Sequence, residues 1–277
     1  MKPFLKPILA FILFLIIQAL SSVIVMALLA LSNPDFISAM QTGDKVLLSQ
    51  ILSGMISPDV YSAALILSSV LTIVVLIWPM RMFSFGQDFK PSGIVAPVAL
   101  LAFAGAVCGI FSVNIFSEFA DLPNLFEADM NGMFSTSLGV FVIGVLGPLA
   151  EEVVFRAGAL GYLLRKGVNA WVAIAFSAFL FGVMHFNPAQ IPFAMLIGIV
   201  LGIIYYRTGN IILTTIIHVF NNSLACFMAN VCPEDATLVD MIGGTASAVA
   251  CGLMLLALSL FLLYKFWGRT AEVVFTE

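Results

Sequence analysis

Apolar runs long enough to cross a bilayer follow one another along almost the whole chain, at 7–31, 60–78, 94–113, 137–164, 170–186, 191–206, 211–229 and 242–266. A helix needs roughly 20 apolar residues to traverse the hydrocarbon layer. The pattern therefore predicts an all-α, polytopic integral membrane protein with about eight transmembrane helices. The longest connections, 32–59 and 114–136, leave no room for a soluble domain, so 1–277 reads as a single membrane domain. Lys2 and Lys6 precede the first run as in a signal peptide. That run exceeds the h-region length of roughly 7–15 residues, which makes it an uncleaved span.

The polar positions give an orientation. Lys2, Lys6, Arg81, Lys90, Arg165, Lys166, Arg207, Lys265 and Arg269 fall at alternate connections or at the ends, against Lys45 alone on the opposite side. The positive-inside rule then predicts that both termini are cytoplasmic, in what we expect to be a bacterial plasma membrane. The opposite face carries Asp35, Asp44, Asp59, Glu118, Asp121, Glu127, Asp129, Glu234, Asp235 and Asp240, a bias that reads as loop solubility. Apolar residues recur at helical spacing in the linkers 36–56 and 115–133, predicting short amphipathic helices along the outer interface.

Composition narrows the function classes. The chain is 62% hydrophobic and 9% charged, with mean hydropathy +1.13. A soluble domain is near half apolar and about a quarter charged, so a soluble enzyme is excluded. Eleven Lys and Arg against fifteen Asp and Glu give a net charge of −4, which disfavours a nucleic-acid partner. The four scattered cysteines make no disulfide framework. Cys226 and Cys232 lie near the outer end of the seventh run, where a disulfide and two isolated thiols are both conceivable, and neither carries a role. Gly105 with Gly109, and Gly198 with Gly202, form Gly-x-x-x-Gly pairs suited to close helix packing.

Ionisable groups inside a span cost roughly 2.5–3.5 kcal/mol each on insertion scales and are functional candidates by default. Three occur together in the fourth run: Glu151, Glu152 and Arg156. Glu152 and Arg156 are four apart with the acid first, the favourable order for an ion pair on one helix. Glu151, rotated about 100° from Glu152, is the acid left without an assigned partner. The chain's two histidines also lie in predicted spans. His185 follows Phe181 by four residues and His218 precedes Asn222 by four, so each pair shares a helix face.

A glutamate and two histidines around water support hydrolysis in two ways. In one, Glu151 is the general base, His185 helps hold the water, and His218 and Asn222 donate hydrogen bonds to the oxyanion. In the other, Glu151, His185 and His218 coordinate zinc with one position open for water. Zinc-dependent and metal-free activation stand side by side at this point. Straight-helix counting puts Glu151 and His185 roughly 20 Å from the cytoplasmic ends but His218 only about 12 Å. Tilt, shifted helix ends or a break at Gly147-Pro148 has to bring them level.

These residues resemble the CPBP family of intramembrane proteases, named for CAAX proteases and bacteriocin-processing enzymes and also called Abi. The family pattern Glu-Glu-x-x-x-Arg, Phe-x-x-x-His, His-x-x-x-Asn/Asp is met in order by Glu151-Glu152-Val153-Val154-Phe155-Arg156, Phe181-Gly182-Val183-Met184-His185 and His218-Val219-Phe220-Asn221-Asn222. The motif-bearing core lies at about 137–229. The resemblance implies peptide-bond hydrolysis within the membrane, with Glu151 activating water, His185, His218 and Asn222 in the same site, and Glu152, Arg156 and Phe181 supporting it. It implies a peptide or lipidated-protein substrate. Eukaryotic relatives trim prenylated CAAX proteins, whereas bacterial ones are linked to bacteriocin maturation or self-immunity, and this chain looks more like the bacterial kind. Two rivals differ in class: a non-catalytic immunity or binding protein that keeps the motif for packing, and a proton-coupled transporter using the same groups as a relay.

Overall fold

The structure, a computed structural model, describes residues 2–82, 95–232, 237–271 and 273–275. Lys90, Glu234, Asp235 and the start of the third apolar run at Ile94 lie outside the described residues. Among those described, every regular element is helical: α1 (Lys2–Ser32), α2 (Pro34–Thr42), α3 (Lys45–Met55), α4 (Pro58–Ile77), α5 (Ala96–Ser117), α6 (Glu127–Phe134), α7 (Ser137–Arg165), α8 (Ala170–Val183), α9 (Ile191–Thr208), α10 (Ile211–Val231), α11 (Leu238–Met241) and α12 (Thr245–Trp267). Seven of these, α1, α4, α5, α7, α9, α10 and α12, are long and apolar enough to cross a membrane. The chain is an all-α polytopic membrane protein.

The fifth predicted span, 170–186, is helical only over Ala170–Val183. Phe186 takes a left-handed backbone with φ 49°, which ends the helix. The Asn187 carbonyl then accepts from the Gln190 and Ile191 amides and starts α9 at once. The linkers predicted to hold short helices contain α2, α3 and α6. Polar residues open the helices as their chemistry requires: Asn33, Asp44, Thr136, Asn169 and Asn210 each accept a first-turn amide through the side chain.

Small residues bring the helices together. A Cβ on Gly105 would stand 3.0 Å from Leu263, and one on Gly109 would stand 2.7 Å from the Ser259 hydroxyl, so both glycines let α5 press against α12. The Ser259 hydroxyl donates to the Gly105 carbonyl at 2.7 Å across that contact. Gly198 and Gly202 do the same for α9 against Ala178 and Ile174 of α8. The cysteines, Cys226 and Cys232 included, are free thiols. At the centre is α7, whose Phe155, Leu160 and Leu163 pack with Phe14, Leu76 and Tyr205. Peripheral helices such as α1 and α12 turn Leu, Ile and Phe side chains outward, as a lipid-facing surface requires.

Candidate active site

α7 is not a uniform helix: it is π-helical over Val142–Leu146 and again over Val153–Gly161. The first segment sits directly before Pro148, which has no amide to give the Gly144 carbonyl and crowds it with its ring. Side chains of α10 take over. The Ser223 hydroxyl donates to the Gly144 carbonyl at 3.2 Å, and Asn222 Nδ2 donates to the Ile143 carbonyl at 3.2 Å. Neighbouring side chains commonly satisfy backbone freed by proline inside a membrane. The break expected at Gly147-Pro148 thus becomes the seam that ties α7 to α10.

That seam removes the mismatch in depth. His218 Nδ1 lies 3.0 Å from Glu152 Oε1, and its Nε2 lies 3.6 Å from Glu151 Oε2. Straight-helix counting fails here because neither the 1.5 Å rise nor ideal helix ends apply to a span with two π-helical segments. The imidazole stands between the two carboxylates.

Glu152 and Arg156 form the anticipated ion pair, Nη1 to Oε1 at 3.2 Å, and both are essentially sealed, at 0% and 1% side-chain exposure. Breaking such a buried pair strands a charge in low dielectric, so its partners hold one another in place. The Arg156 guanidinium also lies 4.4 Å over the Phe181 ring. Phe181 in turn meets His185 and His218 edge-on, at 5.3 Å and 5.5 Å between ring centres, and Phe155 at 5.4 Å. One aromatic ring thereby braces four members of the three motifs.

Glu151 differs from its neighbour. Its side chain is 17% exposed and forms part of the wall of a cavity of about 440 Å³, together with His185, Asn222, Asn221 and Gln190. His218, 4% exposed, stands behind Glu151 and is not part of that lining. His185 Nδ1 donates to the Phe181 carbonyl at 2.9 Å, an assignment from the hydrogen-bond pattern that leaves Nε2 uncommitted to this bond.

Two residues that the sequence reading passed over take part. Ser223 is one, at the α7–α10 seam. Asn187 is the other, fully buried two residues beyond His185. Its Nδ2 donates to Asn124 Oδ1 at 2.7 Å and its Oδ1 accepts from the Leu125 amide at 3.1 Å, tying the turn after α8 to the connection before α6. Ser223 and Asn187 lie one and two residues from motif positions, but an uncharged residue beside a span boundary carries no signal of its own.

Among the described residues, no group of three His, Cys, Asp or Glu side chains could hold one ion. The Phe181 ring packs against both imidazoles. Glu151, His185 and His218 do not fit a shared zinc ion in this arrangement.

Comparison with known proteins agrees with this picture. Residues 133–224 match the type II CAAX prenyl endopeptidase Rce1-like family. That segment contains all three motifs, so the likeness read from them holds. The chain is similar to the putative membrane peptidase YdiL of Bacillus subtilis, with 24% identity over 134 residues, covering 48% of this chain and 54% of that protein. It is also similar to the membrane-embedded CAAX protease MroQ of Staphylococcus aureus, with 26% identity over 155 residues, covering 52% and 62%. The matches thus span little more than half the length of these relatives. No solved structure matches.

Proposed function

We propose that this protein is an intramembrane peptidase that hydrolyses a peptide bond in a membrane-associated or lipidated substrate, or in a bacteriocin-like peptide. The observation that carries the reading is that Glu151, backed by His218 at 3.6 Å, lines a cavity together with His185 and Asn222. The chemistry resides in the core at 137–229, and the remainder of a single membrane domain encloses it. Both relatives bear peptidase names, which supports the assignment.

In this mechanism Glu151 takes a proton from a water molecule in the cavity while the water oxygen bonds to the scissile carbonyl carbon. His185, its ring fixed through Nδ1, offers Nε2 to the same water. Asn222 has two amide hydrogens, one given to Ile143, and it turns the other toward the developing oxyanion. His218 holds the Glu151 carboxylate in place. Glu152, itself held by Arg156, fixes the His218 ring from behind. When the tetrahedral intermediate collapses, the C–N bond breaks and Glu151 returns the proton to the departing amine.

The test is detergent-purified protein against a quenched peptide library, wild type beside Glu151→Gln, each with and without a zinc chelator. We expect cleavage by the wild type, indifference to the chelator and loss in the variant. Equal cleavage by both proteins would overturn the assignment. Loss on chelation would overturn the metal-free mechanism. A proteoliposome uptake that collapses with the proton gradient would favour the transporter instead.

A further inference from the structure

The cavity is confined to one half of the molecule. Its floor is at Glu151, midway along α7, and its lining rises to Ser117 at the end of α5, Met130 and Phe134 on α6, and Gln190 in the turn between α8 and α9. These upper residues all belong to the side with acidic connections. Below Glu151 the interior is filled: Ala157, Leu160, Leu163, Tyr205 and Ile211 are packed with Leu76 and Met82, and Arg165 Nη2 donates to the Met82 carbonyl at 2.9 Å.

The opposite, closed end has the marks of a cytoplasmic interface. It carries Arg81, Arg165, Lys166, Arg207, Lys265 and Arg269, whereas the cavity side has Lys45 as its single basic residue. All three tryptophans, Trp78, Trp171 and Trp267, lie at the closed end, and Trp171 stacks on Trp267 at 5.8 Å. Tryptophans concentrate at the membrane–water boundary. The cavity and the basic face are therefore on opposite sides of a packed layer.

We infer that the cavity is loaded from the face opposite the basic connections, so that its substrate is a peptide segment presented at the outer surface of the bilayer and not a lipidated tail delivered from the cytoplasm. The inference rests on the peptidase reading above and deepens it. Asn114, Ser117 and Gln190 in the upper lining supply the donors and acceptors that an extended peptide backbone needs once it has left water.

Two measurements on the full chain test this. The best segment from the peptide library is placed at the outer or the inner end of a single-span anchor and co-expressed in bacteria with wild type or Glu151→Gln. The outer reporter should be processed at least about tenfold more than the inner one, because a tethered segment on the wrong side has almost no effective concentration at the site. Separately, the native cysteines are replaced, and Gln190→Cys and Lys166→Cys are treated with a membrane-impermeant maleimide. Gln190→Cys should react on intact cells, and Lys166→Cys only after lysis. Preferential processing of the inner reporter, or the reverse labelling pattern, overturns the inference. In detergent the two reporters are equivalent. Failure of both to be cleaved there removes the peptidase reading itself, which separates the two failures.

Discussion

Two consecutive stretches of α7 do opposite jobs. Gly147–Glu152 is an ordinary helical turn and a half that presents Glu151 to the cavity, whereas Val153–Gly161 is π-helical with every residue buried. The boundary falls directly after two adjacent acids of one motif: Glu151 reaches the cavity, and Glu152, the last residue before the π-helical stretch, is sealed against Arg156 and His218. The difference teaches that adjacent identical side chains in a membrane acquire separate roles from packing alone. One is left in contact with the cavity, and the other is paired with Arg156 and His218 in the packed interior.

The largest effect that would sharpen this contrast is on Glu151. Glu151→Gln should lower turnover by about 10²–10⁴-fold, the range for a positioned general base, while the unfolding midpoint in detergent stays unchanged. Glu152→Ala should act on stability as well, costing about 3–5 kcal/mol because Arg156 is left as an unpaired buried charge. Thermal unfolding of the purified variant measures it, and an unchanged midpoint would break the comparison. Within the π-helical stretch, a Cβ on Gly161 would lie 2.7 Å from the Tyr205 hydroxyl and 3.2 Å from the Arg156 carbonyl. Gly161→Ala should therefore cost about 1–3 kcal/mol by overpacking, and adding Tyr205→Phe should recover part of that loss. The smallest effect is expected at Asn187. Asn187→Ala removes two hydrogen bonds worth roughly 1 kcal/mol each. It should lower kcat more than it changes KM, since it loosens the turn that carries His185 without touching the substrate.

Much of this was legible in the chain itself because a bilayer admits few solutions. Seven of the eight apolar runs became spanning helices, and the linkers at 36–56 and 115–133 supplied α2, α3 and α6. The Glu152–Arg156 pair followed from its spacing of four. What hydrophobic periodicity does not encode is local helix type. The π-helical segments arise from backbone carbonyls meeting side chains of other helices: Gly144 with Ser223, and Phe155 with the Ser177 hydroxyl at 2.6 Å. Those partners are 79 and 22 residues away. Counting along straight helices therefore separated His218 from the acids that it touches. Asn187 was equally hidden, because its partners Asn124 and Leu125 lie in the linker 115–133, which reads as an amphipathic helix but, past the end of α5, becomes helical only from Glu127.

The brevity of α8 has a consequence for the surrounding lipid. Fourteen residues rise only about 21 Å, against roughly 30 Å of acyl chain in an average bilayer. Thinning of the bilayer beside this helix is one expected response to the mismatch, and it would bring headgroups nearer to the turn that carries His185. On the proposed peptidase reading, bilayer thickness should then tune turnover, with short-chain phospholipids relieving the mismatch and long-chain ones increasing it.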